Sequence, residues 1–169
     1  MPAKLEPMNP KLDSLDRTVI GALRRWSVPA LRVSLGIVFV WFGALKVFDV
    51  TPVTDLVADT VYWVDPDWFV PVLGIAETAI GIGLLFGVFL RIVIGAMIAQ
   101  LLGTFLVLVV QPDLAFQDGN ILLLTTEGEF VIKNLVLLTA GMVVGATVRR
   151  PGEAQEEQAP IDESVDAGV

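Results

Sequence analysis

A single carboxylate interrupts an otherwise uncharged apolar stretch of the chain. Glu77 lies in PVLGIAETAIGIGLLFGVFL, residues 71–90, which contains no other charged side chain. A carboxylate surrounded by hydrocarbon is unfavourable unless it pairs, faces the protein interior or becomes protonated. Glu77 is therefore a candidate for ion pairing, ligand binding or proton transfer. A role in helix packing alone is an equally good interpretation of this residue.

Four other polar side chains lie within apolar segments and are candidate neighbours of Glu77. They are Lys46, Gln100, Lys133 and Asn134. We predict a polar cluster of Glu77 with Lys46, Lys133 or both, with Asn134 beside Lys133 and Gln100 deeper in the membrane. The alternative is that each lysine extends alone to the lipid headgroups.

A candidate helix start lies just before Lys133, in TTEGEF, residues 125–130. Thr126 as N-cap and Glu129 at the third helical position would form a capping box. Glu129 is also four residues before Lys133, so a local ion pair along one helix is the alternative to the polar cluster.

The composition decides which elements carry these side chains. The 169 residues are 54% hydrophobic with a mean hydropathy of +0.73, values typical of an integral membrane protein. There is no cysteine and no histidine. The chain therefore lacks disulfides, thiolate metal sites, the commonest haem and zinc ligand and the usual general base. We expect no metal site.

Four segments have the length and apolar character of a membrane-spanning helix. They are residues 30–48, 69–90, 92–110 and 130–148. The predicted fold is an all-α polytopic bundle of four transmembrane helices, with an N-terminal interfacial helix and a short outer-surface helix. We divide it into a cytoplasmic segment with an amphipathic helix (1–29), the four-helix domain (30–148) and an acidic disordered cytoplasmic tail (149–169). Small residues predict close packing at Gly83 and Gly87, at Gly95, Ala99 and Gly103, and at Gly141 and Gly145.

The positive charges predict the orientation. Nine of the eleven Lys and Arg residues fall on one side of a four-span arrangement, and the connections on the other side are acidic. Positive charge marks the cytoplasmic side, so both termini are expected in the cytoplasm. Lys46 and Lys133 are the two exceptions, and both lie near the outer ends of their spans. They therefore occupy the same half of the bundle as Glu77.

Three motifs resemble the DoxX-like small membrane proteins, in particular the YkgB-type branch. LRVSLGIVFVWFGALKVF, residues 31–48, is similar to their first span, which opens with arginine (Arg32) and ends in lysine (Lys46). LGIAETAIGIGLLFG is similar to the second span, whose glutamate corresponds to Glu77. GEFVIKNLVLLTAGMVV resembles the last span, with Lys133 and Asn134 matching its lysine and following polar residue.

The resemblance implies a four-helix bundle of the bacterial plasma membrane with a link to redox or oxidative-stress physiology. Some family members are described as the small membrane subunit of a thiosulfate:quinone oxidoreductase. With no evident cofactor motif, this chain is not expected to be catalytic on its own. A quinone is the candidate cofactor, and the expected partners are the bilayer, a redox enzyme or further copies of the chain, with no nucleic acid. The alternatives are a small proton-coupled transporter or channel using Glu77, and a purely structural subunit of a larger complex.

Overall fold

The part of the chain that the structure describes is built from helices and their connections. The computed structural model describes residues 10–51 and 54–148, without the side chains of residues 10–13, so the predicted acidic tail lies outside the described residues. The elements are α1 (Pro10–Val47), α2 (Thr54–Thr60), α3 (Pro66–Phe86), α4 (Leu90–Thr104), α5 (Val107–Val110), α6 (Pro112–Ala115), a 3-10 turn (Gln117–Gly119) and α7 (Thr126–Ala146). The all-α prediction is confirmed.

Among the described residues, four helical segments are long and apolar enough to cross a membrane, as predicted. They are Ser14–Val47, Pro66–Phe86, Leu90–Val110 and Thr126–Ala146. The helices form a ring in which α1 packs on α3, α3 on α4, α4 on α7 and α7 on α1. We call the end that carries the α3–α4 turn, residues 87–89, the turn end. The opposite end, with residues 48–51, 54–65 and 111–125, is the loop end.

Glycines allow α1 and α3 to pack with their backbones in contact. Gly36 and Gly43 of α1 face Gly81 and Gly74 of α3, so the two helices run antiparallel. A Cβ atom at Gly81 would lie 2.5 Å from the backbone nitrogen of Val40, and one at Gly74 would lie 2.7 Å from the carbonyl oxygen of Gly43. Neither distance leaves room for a side chain, and close approach of this kind is what small residues provide in membrane helices.

The predicted small-residue faces are correct for α7 but wrong for α4. Cβ atoms added at Gly141 and Gly145 would contact Met97 and Ile94 of α4, whereas Gly95 and Gly103 have no neighbouring atom within 4 Å. The reason is that α4 buries its large side chains, and the small face of α7 receives them. Gly83 of α3 also faces α4, at Val93, and Gly87 ends α3 with a left-handed φ of 72°.

The predicted interfacial helix and the first span form one element. α1 continues through Pro29 and has 38 residues. Proline inside a helix removes one backbone donor and favours a kink, but it does not end this helix. One side of the N-terminal half of α1 carries exposed large apolar side chains. These are Leu15, Val19, Leu23 and Trp26.

Candidate functional site

Glu77 lies in the interior of the bundle, near the middle of α3. The N-terminus of this helix is capped, because the side chain of Asp65 accepts a hydrogen bond from the backbone nitrogen of Asp67 at 3.0 Å. Pro66 occupies the first helical position, which proline favours. Glu77 follows Pro66 by eleven residues, or roughly 16 Å along the axis at 1.5 Å per residue. It is 8% exposed, so its carboxylate depends on protein partners.

Lys46 is the cationic partner of Glu77. Its Nζ atom donates to Oε2 of Glu77 at 2.7 Å, and the lysine is only 7% exposed. Gly74 makes this possible, because a Cβ atom there would lie 2.7 Å from Cβ of Lys46. The glycine crossing of α1 and α3 therefore provides the space through which the lysine reaches the carboxylate. The expected contact of Glu77 with a lysine from another span is present.

Gln100 of α4 completes the site. Its Nε2 atom donates to Oε1 of Glu77, so each carboxylate oxygen accepts one hydrogen bond from a different helix. We call Lys46, Glu77 and Gln100 the buried triad. It joins α1, α3 and α4, and its members satisfy the main requirement of a carboxylate in a low-dielectric interior, which is a paired and hydrogen-bonded environment.

A second polar contact lies one helical turn further along α4. Asn134 of α7 donates through Nδ2 to Oγ1 of Thr104 at 3.0 Å, and this hydroxyl donates to the carbonyl of Leu101 at 2.7 Å. Asn134 thus contacts α4 close to the triad rather than Glu77 itself. Since Gln100 and Thr104 are four residues apart, they share one face of α4. Polar side chains therefore connect all four spans.

The Thr104 contact coincides with an irregularity in the third span. The backbone nitrogens of Phe105 and Leu106 donate to carbonyls three residues back, at 3.2 and 3.1 Å, instead of four. This tighter winding removes the α-helical partner of the Leu101 carbonyl. Every backbone polar group at membrane depth needs a protein partner, and the Thr104 hydroxyl supplies it.

Lys133 does not belong to the polar cluster, so its placement there is wrong, and of the predicted pairings with Glu77 only that with Lys46 is present. Its side chain is 74% exposed, and its Nζ atom lies 3.3 Å from Oε2 of Glu129. This is the local ion pair along one helix that was the alternative prediction. The reason is the rotation of α7 about its axis. Successive residues on a helix differ by about 100°, so when Asn134 faces α4, Lys133 is directed to the outside.

The helix cap before Lys133 is also one residue earlier than predicted. Thr125, not Thr126, is the N-cap of α7, and its hydroxyl accepts from the backbone nitrogen of Gly128 at 3.0 Å. Glu129 is therefore at the fourth helical position and forms no capping box. A tertiary contact selects Thr125, because its hydroxyl also donates to the carbonyl of Leu114. Gly128 packs directly on the Ala115 carbonyl, where any side chain would clash.

Sequence reasoning missed Thr104 and the crossing glycine Gly43. Threonine is common in membrane helices and forms hydrogen bonds within its own helix, so its type alone carries little information. The spacing from Gln100 to Thr104 was an available signal, since it places two polar groups on one face of an otherwise apolar helix. Gly43 could have been found by its seven-residue distance from Gly36, which matches the distance from Gly74 to Gly81.

A separate apolar groove of about 310 Å³ runs along the outside of α1. It is lined by Ile37, Val40, Trp41, Ala44, Leu45 and Phe48 of α1 and by Leu85 of α3. At 100° per residue, Lys46 lies about half a turn around α1 from the centre of this stripe. The groove and the buried triad therefore lie on opposite faces of α1.

The comparison with protein families gives one match, which covers residues 27–110 and is described as DoxX. No curated protein and no solved structure matches the chain. The matched region includes all three members of the buried triad and ends before α7, which carries Asn134. The finer assignment to the YkgB-type branch stays a prediction. The described part of the chain therefore has four helices that can span a membrane, and over residues 27–110 the chain is similar to the DoxX family.

Proposed function

We propose that this DoxX-like protein is an accessory membrane subunit in redox or oxidative-stress physiology of a bacterial plasma membrane. The redox group would belong to a partner enzyme or to a quinone-like lipid. The 169 residues contain no cysteine or histidine, so the side chains that most often carry redox chemistry or hold redox metals are missing. The role left to this chain is to bind and position such a group.

The observation that carries this proposal is the unused donor capacity of the buried triad. A lysine ammonium has three N–H donors and a glutamine amide has two. Within the described residues, Lys46 and Gln100 each use one donor, and both donate to Glu77. The remaining donors suit a carbonyl oxygen, which is the acceptor that a quinone ring presents.

The triad also provides the electrostatic setting for such a ligand. Lys46 and Glu77 neutralise each other at 2.7 Å, so a neutral ring can approach without meeting an isolated charge. Lys46 and Gln100 would hold the ring oxygen, and Glu77 would keep both donors in position. A bound quinone would supply the electron and proton exchange that the chain itself lacks.

Quinone content of the purified protein tests the ligand. We expect protein extracted in mild detergent to retain quinone, and Lys46→Met to lose most of it. Lys133→Met is the matched control, because it removes the exposed lysine from the same end of the bundle. Equal quinone in both variants, or none in the wild type, would exclude the triad as the quinone site.

The partner requires a different measurement. Native mass spectrometry of complexes ejected directly from membranes should show this chain bound to a redox enzyme. If it appears alone or only with copies of itself, and deletion causes no sensitivity to oxidants, the accessory role is wrong.

The polar contacts across α4 favour a proton-coupled transporter as the second candidate. Polar groups continue from Glu77 through Gln100 to Thr104 and Asn134, which is the kind of side-chain series that proton pathways use. In proteoliposomes, Glu77→Gln should abolish pH-driven flux while Glu129→Gln should preserve it. Flux that survives Glu77→Gln rules out this role for Glu77.

A further inference from the structure

The second polar feature of the bundle lies at the turn end and centres on Arg32. Its guanidinium packs on the α3–α4 turn, with Nη1 2.9 Å from the position that a Cβ atom at Gly87 would take. Its Nε atom is shielded from solvent and has no hydrogen-bond partner. No ion pair joins Arg32 to another described residue. A shielded N–H donor without an acceptor is unfavourable, so an acceptor placed here would stabilise the side chain.

The chain segment that carries Arg32 is cationic. Between residues 17 and 48 the chain has five cationic residues and no acid: Arg17, Arg24, Arg25, Arg32 and Lys46. Arg91 lies in the first turn of α4, four residues after Gly87. The acids of the connections, such as Asp113 and Asp118, belong to the loop end. Residues 17–48 and 87–91 therefore contain cationic residues and no acid.

The surface beside Arg32 is strongly apolar. Phe86, Phe89 and Ile92 flank the turn, and each is more than 70% exposed. A free anion would satisfy the guanidinium but would leave these side chains uncovered. A molecule with an anionic group and hydrocarbon chains satisfies both.

From these observations we infer that Arg32 binds the phosphate of an anionic phospholipid, with the acyl chains lying over Phe86, Phe89 and Ile92. A planar guanidinium recognises phosphate through paired N–H donors, which a lysine cannot reproduce. Cationic residues at the ends of membrane helices are typical sites for anionic headgroups. The acidic segment after residue 150 could offer carboxylates instead, but its sequence is poor in large apolar residues.

Lipid retention by the full chain tests this site. Protein is reconstituted in vesicles with equal amounts of phosphatidylglycerol and phosphatidylcholine, extracted gently and examined by native mass spectrometry. We expect wild type to retain mainly phosphatidylglycerol. Arg32→Gln should lower the ratio of the two retained lipids about tenfold, the effect of losing a charge-assisted hydrogen bond.

The control is Arg25→Gln, which removes the same charge from an exposed residue two turns away, where it lies over the Trp26 ring. It should keep the wild-type ratio. An unchanged ratio in Arg32→Gln, or an equal fall in both variants, would overturn the site. Arg32→Lys, which preserves the charge, should give an intermediate ratio, and elution as a single species establishes that each variant is folded.

Two further experiments distinguish a phospholipid from other anions that could occupy the site. Millimolar inorganic phosphate should leave phosphatidylglycerol bound, and complete displacement would show that the site recognises free phosphate rather than lipid. Removal of residues 149–169 should also leave the ratio unchanged. If truncation markedly raised the lipid ratio of the wild type but not that of Arg32→Gln, the acidic segment would be the partner of Arg32. That result would contradict the lipid assignment.

Discussion

The stability of the bundle interior depends on how the charge of Glu77 is compensated. A buried ion pair is expensive to dehydrate, so its formation adds little net stability, but removal of one partner leaves an unpaired charge and is strongly destabilising. Lys46 and Glu77 are both less than 9% exposed. Gln100 adds a second hydrogen bond to the carboxylate and fixes its orientation.

We expect Glu77→Gln to destabilise the folded protein by about 3 kcal/mol, because Lys46 remains buried without its counter-charge. The double variant Glu77→Gln with Lys46→Met should recover part of this loss, since both charges are then removed. Denaturant titration in mixed micelles measures the free energy of unfolding. Glu129→Gln, which breaks an exposed pair, is the control and should change it by less than about 0.5 kcal/mol. A double variant less stable than both single variants would contradict the pairing.

The two adjacent threonines before α7 allow a test of the cap. Thr125→Ala removes the acceptor for Gly128 and the donor to Leu114, and should lower the free energy of unfolding by about 1 kcal/mol. Thr126→Ala should have almost no effect, because alanine is a better helix former and no cap is lost. The same titration compares the two variants. Equal losses would mean that the cap is not Thr125.

At the scale of helices, the α1–α3 crossing determines whether the triad can form. Gly43 and Gly74 bring the two backbones together, and Gly74 also accommodates the stem of Lys46. The ion pair therefore depends on the crossing, because a wider separation of the two helices would move the Lys46 ammonium away from Glu77.

Alanine substitutions at glycine distinguish this crossing from open helix faces. Gly81→Ala should destabilise the protein by about 1 to 3 kcal/mol, because its Cβ atom would meet the backbone nitrogen of Val40 at 2.5 Å. Gly95→Ala has open space around it and should be neutral or stabilising by up to about 1 kcal/mol from helix propensity. Thermal unfolding in detergent compares the two. A Gly95→Ala variant that unfolds earlier than Gly81→Ala would contradict the packing described.

Hydropathy was sufficient to predict the four spans, because a membrane helix must be apolar over its whole length. Their direction then placed Glu77, Lys46 and Lys133 in one half of the bundle. The choice between the two lysines depends on the rotation of α7, which side-chain packing decides and hydropathy does not. The choice of cap residue depends on contacts with Leu114 and Ala115, which lie outside the short capping motif around Thr125. Distant contacts of this type cannot be derived from short motifs.

For the whole molecule, charge asymmetry predicts which end faces the cytoplasm. The arginine-rich turn end should be inside the cell and the acidic loop end outside. The absence of cysteine makes this directly measurable, because a single introduced thiol has no background.

Single-cysteine variants at each end test the orientation in intact cells. Leu122→Cys, at an exposed loop-end position, should react with a membrane-impermeant maleimide. Gly21→Cys, in an open position on the N-terminal half of α1, should react only after the membrane is permeabilised. Labelling of Gly21→Cys but not Leu122→Cys in intact cells would reverse the predicted topology.

The length of α1 has a mechanical consequence. Its 38 residues extend roughly 57 Å at 1.5 Å per residue, nearly twice the hydrocarbon thickness of about 30 Å. Roughly half of the helix therefore extends beyond the hydrocarbon at the turn end, while Lys46 lies near the opposite end of the same helix. Because the helix is continuous, we expect a displacement near residue 15 to reach Lys46 unless a bend at Pro29, where one backbone donor is missing, absorbs it.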